Sequence, residues 1–64
     1  MTAREVANRL TREGWASRPG KGSHTIYSKS GHQIVVLPNH RGDIKPGTLR
    51  NICAVAGWEY PPER

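Results

Sequence analysis

Apolar residues recur at helical spacing near each end of the chain, a pattern typical of amphipathic helices. The first stripe consists of Ala3, Val6, Ala7 and Leu10. The second stripe consists of Leu49, Ile52, Cys53 and Ala56. Thr2 and Glu5 have capping-box spacing, which predicts that the first helix begins there, and Gly14 is placed to end it as a left-handed cap. Pro46 suits the first turn of the second helix, and Gly57 suits its end.

Three short segments between these helices have the composition of β-strands. They lie at residues 15–18, 23–28 and 33–37, where residues such as Thr, Ile, Tyr and Val favour extended backbone. Pro38 ends the third strand because proline cannot donate to a strand ladder. Residues 19–22 and 29–32 predict turns, and the first turn contains two glycines that are free to adopt positive φ. A polar loop is predicted at residues 39–44.

The order of these elements predicts an α+β fold of two layers. Both apolar helix stripes need a shared sheet face, so a three-stranded antiparallel sheet is covered on one side and open on the other. This helix-strand-strand-strand-helix order is that of double-stranded-RNA-binding domains. We expect one domain over residues 1–57 and an irregular tail over residues 58–64. Since Phe is absent, the core must consist of Val, Ile and Leu, with Trp15 and Trp58 as its large members.

The net charge of +5 lies entirely in the middle of the chain. The cations there are Arg18, Lys21, Lys29, Arg41, Lys45 and Arg50. The only acid in this part of the sequence is Asp43, whereas the positive and negative charges of the flanking segments cancel. A polyanion is the natural partner of such a segment, and a solvated basic surface is the alternative that charge alone leaves open. We expect no membrane span and no signal peptide, and the single Cys53 fits a cytoplasmic location.

The sequence Lys-Gly-Ser-His-Thr-Ile-Tyr, which begins at Lys21, holds the best candidate chemistry. A histidine at position 24 can remove a proton from a ribose 2′-hydroxyl or protonate a leaving 5′-oxygen. Lys21 and the amides of Gly22 and Ser23 could stabilise charge on the scissile phosphate. The alternative is a strand histidine that makes a structural hydrogen bond. If Ile26 faces the core, strand alternation turns His24 toward the helix layer.

Further candidate contacts to RNA lie on the second strand, in the polar loop and at the start of the second helix. They are Tyr27, His40, Arg41, Lys45, Thr48 and Arg50. Amides at a helix start can accept a phosphate, and Tyr27 could stack on a base, although a strand tyrosine is more often a packing residue. His40 could face the same site or only solvent. We expect His32 to be exposed and without function, and no residue cluster indicates a metal or a cofactor.

Together, three segments resemble the HicA-type mRNA interferase toxins, also called the YcfA-like family. The segments are Lys-Gly-Ser-His-Thr-Ile-Tyr from Lys21, Leu-Pro-Asn-His from Leu37 and Lys-Pro-Gly-Thr-Leu-Arg from Lys45. They stand in the family's order, with its spacing, and the resemblance runs from about Val6 to Gly57. It implies a double-stranded-RNA-binding-like fold, which agrees with the order of elements inferred above.

The resemblance also implies a function and partners. The family's catalytic histidine corresponds to His24, and its Gly-Thr-Leu-Arg segment corresponds to residues 47–50. Such toxins cleave messenger RNA and arrest translation, and a HicB-type antitoxin blocks their active site. The chain departs from the family at Pro19-Gly20, where many members carry a polar or basic residue. It also departs in the tail 58–64, which could pack on the domain, contact the antitoxin or mediate self-association.

Three hypotheses about function therefore stand side by side. The first is a metal-independent ribonuclease toxin with His24 as general acid or base. The second is a non-catalytic RNA-binding module that uses the same fold and charge. The third is a protein whose chief role is to bind an antitoxin within a repressor complex. RNA cleavage that depends on His24 separates the first hypothesis from the other two.

Overall fold

The chain forms two helices and three strands, seen in a computed structural model that describes residues 1–39 and 41–62. The elements are α1 (Ala3–Arg12), β1 (Ala16–Pro19), β2 (His24–Ser28), β3 (Val35–Pro38) and α2 (Pro46–Ala56). The strands make one antiparallel sheet in the order β1-β2-β3. The predicted α+β class and element order are confirmed, and the double-stranded-RNA-binding-like arrangement is consistent with them. Each strand lies within two residues of its predicted bounds.

Both helices begin and end through the local chemistry that the sequence predicts. The Thr2 hydroxyl accepts from the Glu5 amide at 3.2 Å, and the Glu5 carboxylate accepts from the Thr2 amide at 2.8 Å. After α1, Gly14 has φ +90°. After α2, Gly57 has φ +79° and its amide donates to the Cys53 carbonyl. Glycine tolerates this left-handed backbone without a steric penalty, so it ends helices well.

The core lies between the two helices and one face of the sheet. Its buried members are Ala3, Val6, Leu10, Trp15, Tyr27, Val35, Leu37, Ile44, Leu49, Ile52, Cys53 and Trp58. Trp15 and Trp58 are thus core residues, as predicted. Ile44 is also buried, although its segment was predicted to be a polar loop, and its amide donates to the Met1 carbonyl at 2.8 Å. Ile44 therefore fastens the start of the chain to the segment before α2.

The other face of the sheet is open, and it carries the residues that alternate with the core. Tyr27 pairs with the buried Val35, whereas Ile26 pairs with Val36, which is 46% exposed. The condition under which His24 would face the helix layer, that Ile26 faces the core, is therefore not met, because Tyr27 takes that place. Since side chains alternate along a strand, His24 shares the open face with Ile26 and does not face the helix layer.

A contact between His32 and the end of α2 indicates the direction in which this helix crosses the sheet. His32 Nδ1 donates to the Val55 carbonyl at 3.1 Å, and the imidazole lies 5.0 Å from the Trp15 ring. His32 is exposed, as expected, but it has a structural role. Because His32 precedes β3, the end of α2 lies beside the start of β3. The start of α2 therefore lies toward the other end of β3, where Pro38 pairs with His24.

Candidate active site

The loop between β1 and β2 is closed by three backbone features. The Gly20 amide donates to the His24 carbonyl at 3.0 Å, and the Asn39 amide donates to the Ser23 carbonyl at 2.7 Å. Gly22 has φ +58°, a left-handed conformation that suits glycine. These features hold residues 20–23 as a compact turn against the ends of β2 and β3.

Gly20 allows the loop to lie close to β2. Both glycines of the turn were free to adopt positive φ, but of the two only Gly22 does so. A Cβ on Gly20 would lie 3.1 Å from Ile26 Cγ1 and 3.3 Å from the His24 carbonyl oxygen. Glycine therefore permits a close approach here, because the loop packs directly on the open face of β2 and a larger residue would need Ile26 or the loop to shift.

His24 is exposed, and its ring is oriented by the loop that precedes it. Nδ1 lies 3.0 Å from the Lys21 carbonyl oxygen. A carbonyl can only accept, so Nδ1 must carry the hydrogen of this bond. In the neutral ring, Nε2 is then the unprotonated nitrogen. A proton can be added or removed at Nε2 without loss of the bond to Lys21, an arrangement suited to general acid or base chemistry.

A polar side-chain pair braces the strand ends beside His24. The Thr25 hydroxyl donates to Asn39 Oδ1 at 3.1 Å, which links β2 to the residue that follows β3. Neither residue was singled out from the sequence. A signal was available, since Thr25 lies within the His24 motif and Asn39 immediately follows the proline that ends β3.

Arg18 is a further cation near the site. The sequence indicated it only as one of the central cations and not as a contact to RNA. It is exposed and pairs with Ile26 in the register of β1 and β2, so it lies on the open face with His24. Arg18 and His24 are diagonal neighbours across this strand pair, a relation that typically separates two residues by about 7–8 Å, with their Cβ atoms somewhat closer. Finding Arg18 requires the strand register, which the predicted turn length alone does not fix.

Most of the other residues predicted to contact RNA are exposed, but Tyr27 is buried. Lys21, Gly22, Ser23, Arg41, Lys45, Thr48 and Arg50 are exposed. His40 lies outside the described residues. Tyr27 is only 6% exposed, and burial raises the pKa of its phenol. Its proposed stacking on a base is therefore wrong, and the packing alternative holds.

One of the central cations, Lys29, stabilises the end of α1. Lys29 Nζ donates to the Glu13 carbonyl at 2.7 Å, at the end of α1, where a positive charge complements the helix dipole. Lys29 thus serves the helix end, whereas Lys45, Thr48 and Arg50 lie at the start of α2, toward the His24 end of the sheet. Within residues 1–39 and 41–62, no group of three His, Cys, Asp or Glu is placed to hold a metal.

Most of the chain matches a known protein family. Residues 3–58 match the family model for the HicA toxin of bacterial toxin-antitoxin systems, and this match covers most of the 64 residues. The chain belongs to the HicA toxin family. A search of curated proteins found no significant match. The resemblance noted from three sequence segments is thereby confirmed, and membership supports a toxin role.

The HicA match includes the His24 loop and the start of α2 but ends at Trp58. The tail beyond that point lies outside the matched residues. In the described part of the chain, no helix is both long and apolar enough to cross a membrane. Trp58 itself is buried against the core, so the tail begins from a fixed position.

Proposed function

We propose that this HicA-family toxin is an endoribonuclease that cleaves messenger RNA without a metal and thereby arrests translation. The observation that carries the proposal is the 3.0 Å bond between His24 Nδ1 and the Lys21 carbonyl. It orients an exposed imidazole and leaves Nε2 to exchange a proton with RNA. Family membership supports the toxin role, and the partner that we propose is a HicB-type antitoxin.

The reaction is attack of a ribose 2′-hydroxyl on the adjacent phosphorus, which breaks the bond from phosphorus to the 5′-oxygen. The products are a 2′,3′-cyclic phosphate and a free 5′-hydroxyl. Neutral His24 accepts the 2′-hydroxyl proton at Nε2 while water protonates the leaving 5′-oxygen, or protonated His24 donates a proton from the same atom to the leaving 5′-oxygen while water accepts the 2′-hydroxyl proton. The Lys21 carbonyl keeps the ring in one orientation during either transfer.

The charge that develops on the phosphate is stabilised by groups around the same loop. Lys21 is exposed beside His24, and the backbone amides of Gly22 and Ser23 are further candidate donors. Arg18 approaches from β1 on the open face. Three residues at the start of α2 would bind phosphates farther along the RNA: Lys45, Thr48 and Arg50. We propose these roles for residues that the structure leaves exposed.

The experiment is to express the wild type and His24→Ala from a tightly controlled promoter and to follow growth and bulk messenger RNA. We expect the wild type to arrest growth with loss of messenger RNA, and His24→Ala to do neither. The expected loss of cleavage is about 100-fold or more, the usual effect of removing a general acid or base. Full arrest and cleavage by His24→Ala would contradict the proposal.

A non-catalytic RNA-binding module is the second candidate, because the cations of the site are exposed. It predicts RNA affinity that falls with salt, with a slope of about −0.7 for each phosphate neutralised on a single strand, and no cleavage. Growth arrest of equal strength by wild type and His24→Ala, with intact messenger RNA, would favour this candidate.

A further inference from the structure

The tail begins at an anchored tryptophan. Trp58 is 8% exposed, and its Nε1 donates to Glu13 Oε1 at 2.7 Å. The Arg9 guanidinium lies 4.2 Å from the centre of the Trp58 ring, and the Trp58 amide donates to the Cys53 carbonyl at 2.8 Å. The residues that follow therefore leave from a fixed point at the end of α2.

Two residues beyond this anchor, Tyr60 lies beside α2. The Arg50 guanidinium is 5.0 Å from the centre of the Tyr60 ring. Arg50 belongs to the second turn of α2 (Pro46–Ala56), and helical side chains tilt toward the start of their helix. The tail must therefore run alongside α2 rather than continue beyond its end. This course carries an aromatic ring toward the end of the helix that lies nearer to His24.

Tyr60 remains accessible in spite of this contact. It is 40% exposed and, with Ile34 and Val36, is one of three large apolar residues exposed in the described part of the chain. The other two are aliphatic, whereas a tyrosine ring next to a guanidinium has the chemistry of a base-stacking platform. The ring offers a π-face to a base, and the guanidinium offers donors to the adjoining phosphate.

We propose that Tyr60 and Arg50 form a subsite for single-stranded RNA, in which Tyr60 stacks on a base and Arg50 binds the neighbouring phosphate. The subsite lies partly outside the residues that match the HicA family, since Tyr60 follows the matched range 3–58. The inference rests on the proposed ribonuclease function, since it names a further contact to the same substrate.

The test measures RNA binding in a His24→Ala background, where cleavage does not interfere. The probes are a single-stranded RNA oligonucleotide and the same oligonucleotide with abasic sites, at one fixed salt concentration. Tyr60→Leu should weaken binding of the intact RNA about five- to tenfold, and Tyr60→Trp should retain or strengthen it. The difference between tyrosine and leucine should vanish on the abasic probe, because stacking requires a base.

A matched control is Ile34→Ala, which truncates another exposed apolar residue of similar accessibility, 49%. It lies near the start of β3, at the other end of the sheet from His24, and should leave RNA affinity unchanged. Glu59→Gln gives an electrostatic check, because it removes an exposed negative charge beside Tyr60. It should strengthen binding to both probes if a phosphate approaches this position.

Failure of this inference and failure of the proposed function give different results. If the wild type cleaves RNA while Tyr60→Leu binds it as tightly as the His24→Ala parent, only the subsite is wrong. If Tyr60→Leu weakens both probes equally and lowers the melting temperature, Tyr60 is a packing residue and the subsite is likewise wrong. If the wild type neither binds nor cleaves RNA, both proposals are overturned.

Discussion

Charged and polar groups have opposite roles in two regions, the His24 loop (residues 20–24) and the Glu13 cluster, in which Glu13 contacts Arg9, Lys29 and Trp58. At the loop, backbone bonds and the Gly20 contact set the shape, and His24 keeps one ring nitrogen available for chemistry. At Glu13, the carboxylate accepts from Arg9 and Trp58, and the Glu13 backbone carbonyl accepts from Lys29. The comparison shows that some cations of this basic chain, such as Arg9 and Lys29, make contacts that support the fold, whereas Lys21 and Lys45 are exposed near the candidate site.

The largest effect on stability should come from Glu13→Ala. This change removes the acceptor of both Arg9 and Trp58 and releases the segment after α2. We expect a loss of about 1–3 kcal/mol, from lost charge-assisted hydrogen bonds and poorer anchoring of Trp58. Thermal unfolding followed by circular dichroism would measure it. Cleavage at a temperature where the variant is folded should stay near wild type, and a large loss of cleavage there would break the comparison.

Gly20→Ala should slow cleavage but lower stability less than Glu13→Ala does, which is the reverse of the result expected for Glu13→Ala. The added Cβ meets Ile26 Cγ1 at 3.1 Å, so the loop or Ile26 must shift by a few tenths of an ångström. We expect less than about 1 kcal/mol of destabilisation but roughly tenfold slower cleavage, because small misplacements of catalytic groups are costly.

The double variant Gly20→Ala with Ile26→Ala is the control for this contact. Truncation of Ile26 removes its Cγ1 and Cδ1 atoms, which the new Cβ would meet, and leaves the contact with the His24 carbonyl oxygen at 3.3 Å. Cleavage should therefore recover in part toward that of Ile26→Ala alone. Equal cleavage defects with and without Ile26 truncation would show that the contact with Ile26 is not the cause.

The smallest expected effect is an acid dependence of stability that arises at Glu13. Burial raises the pKa of this carboxyl, but hydrogen bonds from Trp58 and Arg9 and the charges of Arg9 and Lys29 outweigh it, so its pKa lies below the ordinary value. Such a group stabilises the fold above the unfolded pKa, and the stabilisation is lost as pH falls through the folded pKa.

Denaturant unfolding between pH 6 and pH 3 would measure this effect. The wild type should lose more stability over that range than Glu13→Gln, which cannot titrate at this position. Identical pH profiles for the two proteins would show that the Glu13 interactions carry no net preference for the ionised form.

What could be predicted from the sequence is what short-range chemistry determines. The capping box at Thr2 and the glycines after both helices act within a few residues, so the start of the first helix and the ends of both helices could be predicted from them. Along β2, by contrast, both alternating sets contain an apolar residue, Ile26 in one and Tyr27 in the other. Only pairing with Val35 and Leu37 decides which set is buried, and for this reason the face of His24 was not predictable.

The residues of the candidate site likewise divide into those that the local sequence indicates and those that depend on tertiary contacts. His24 and the glycine loop were found because they are contiguous, and their membership of a known family pattern reinforced the choice. Arg18 reaches the site through strand register, and the bond between Trp58 and Glu13 joins residues 45 positions apart. Ile44 is a lone apolar residue in a polar segment, so no periodicity marks its burial. Contacts of this kind depend on the tertiary arrangement.

The central claim is that the orientation of His24 leaves Nε2 to carry the proton in RNA cleavage. The most direct measurement compares purified wild type and His24→Asn in cleavage of an RNA oligonucleotide and in melting temperature. Asparagine can still donate to the Lys21 carbonyl but has no counterpart of Nε2. We predict an unchanged melting temperature with cleavage at least about 100-fold slower. Cleavage at the wild-type rate by folded His24→Asn would contradict the account.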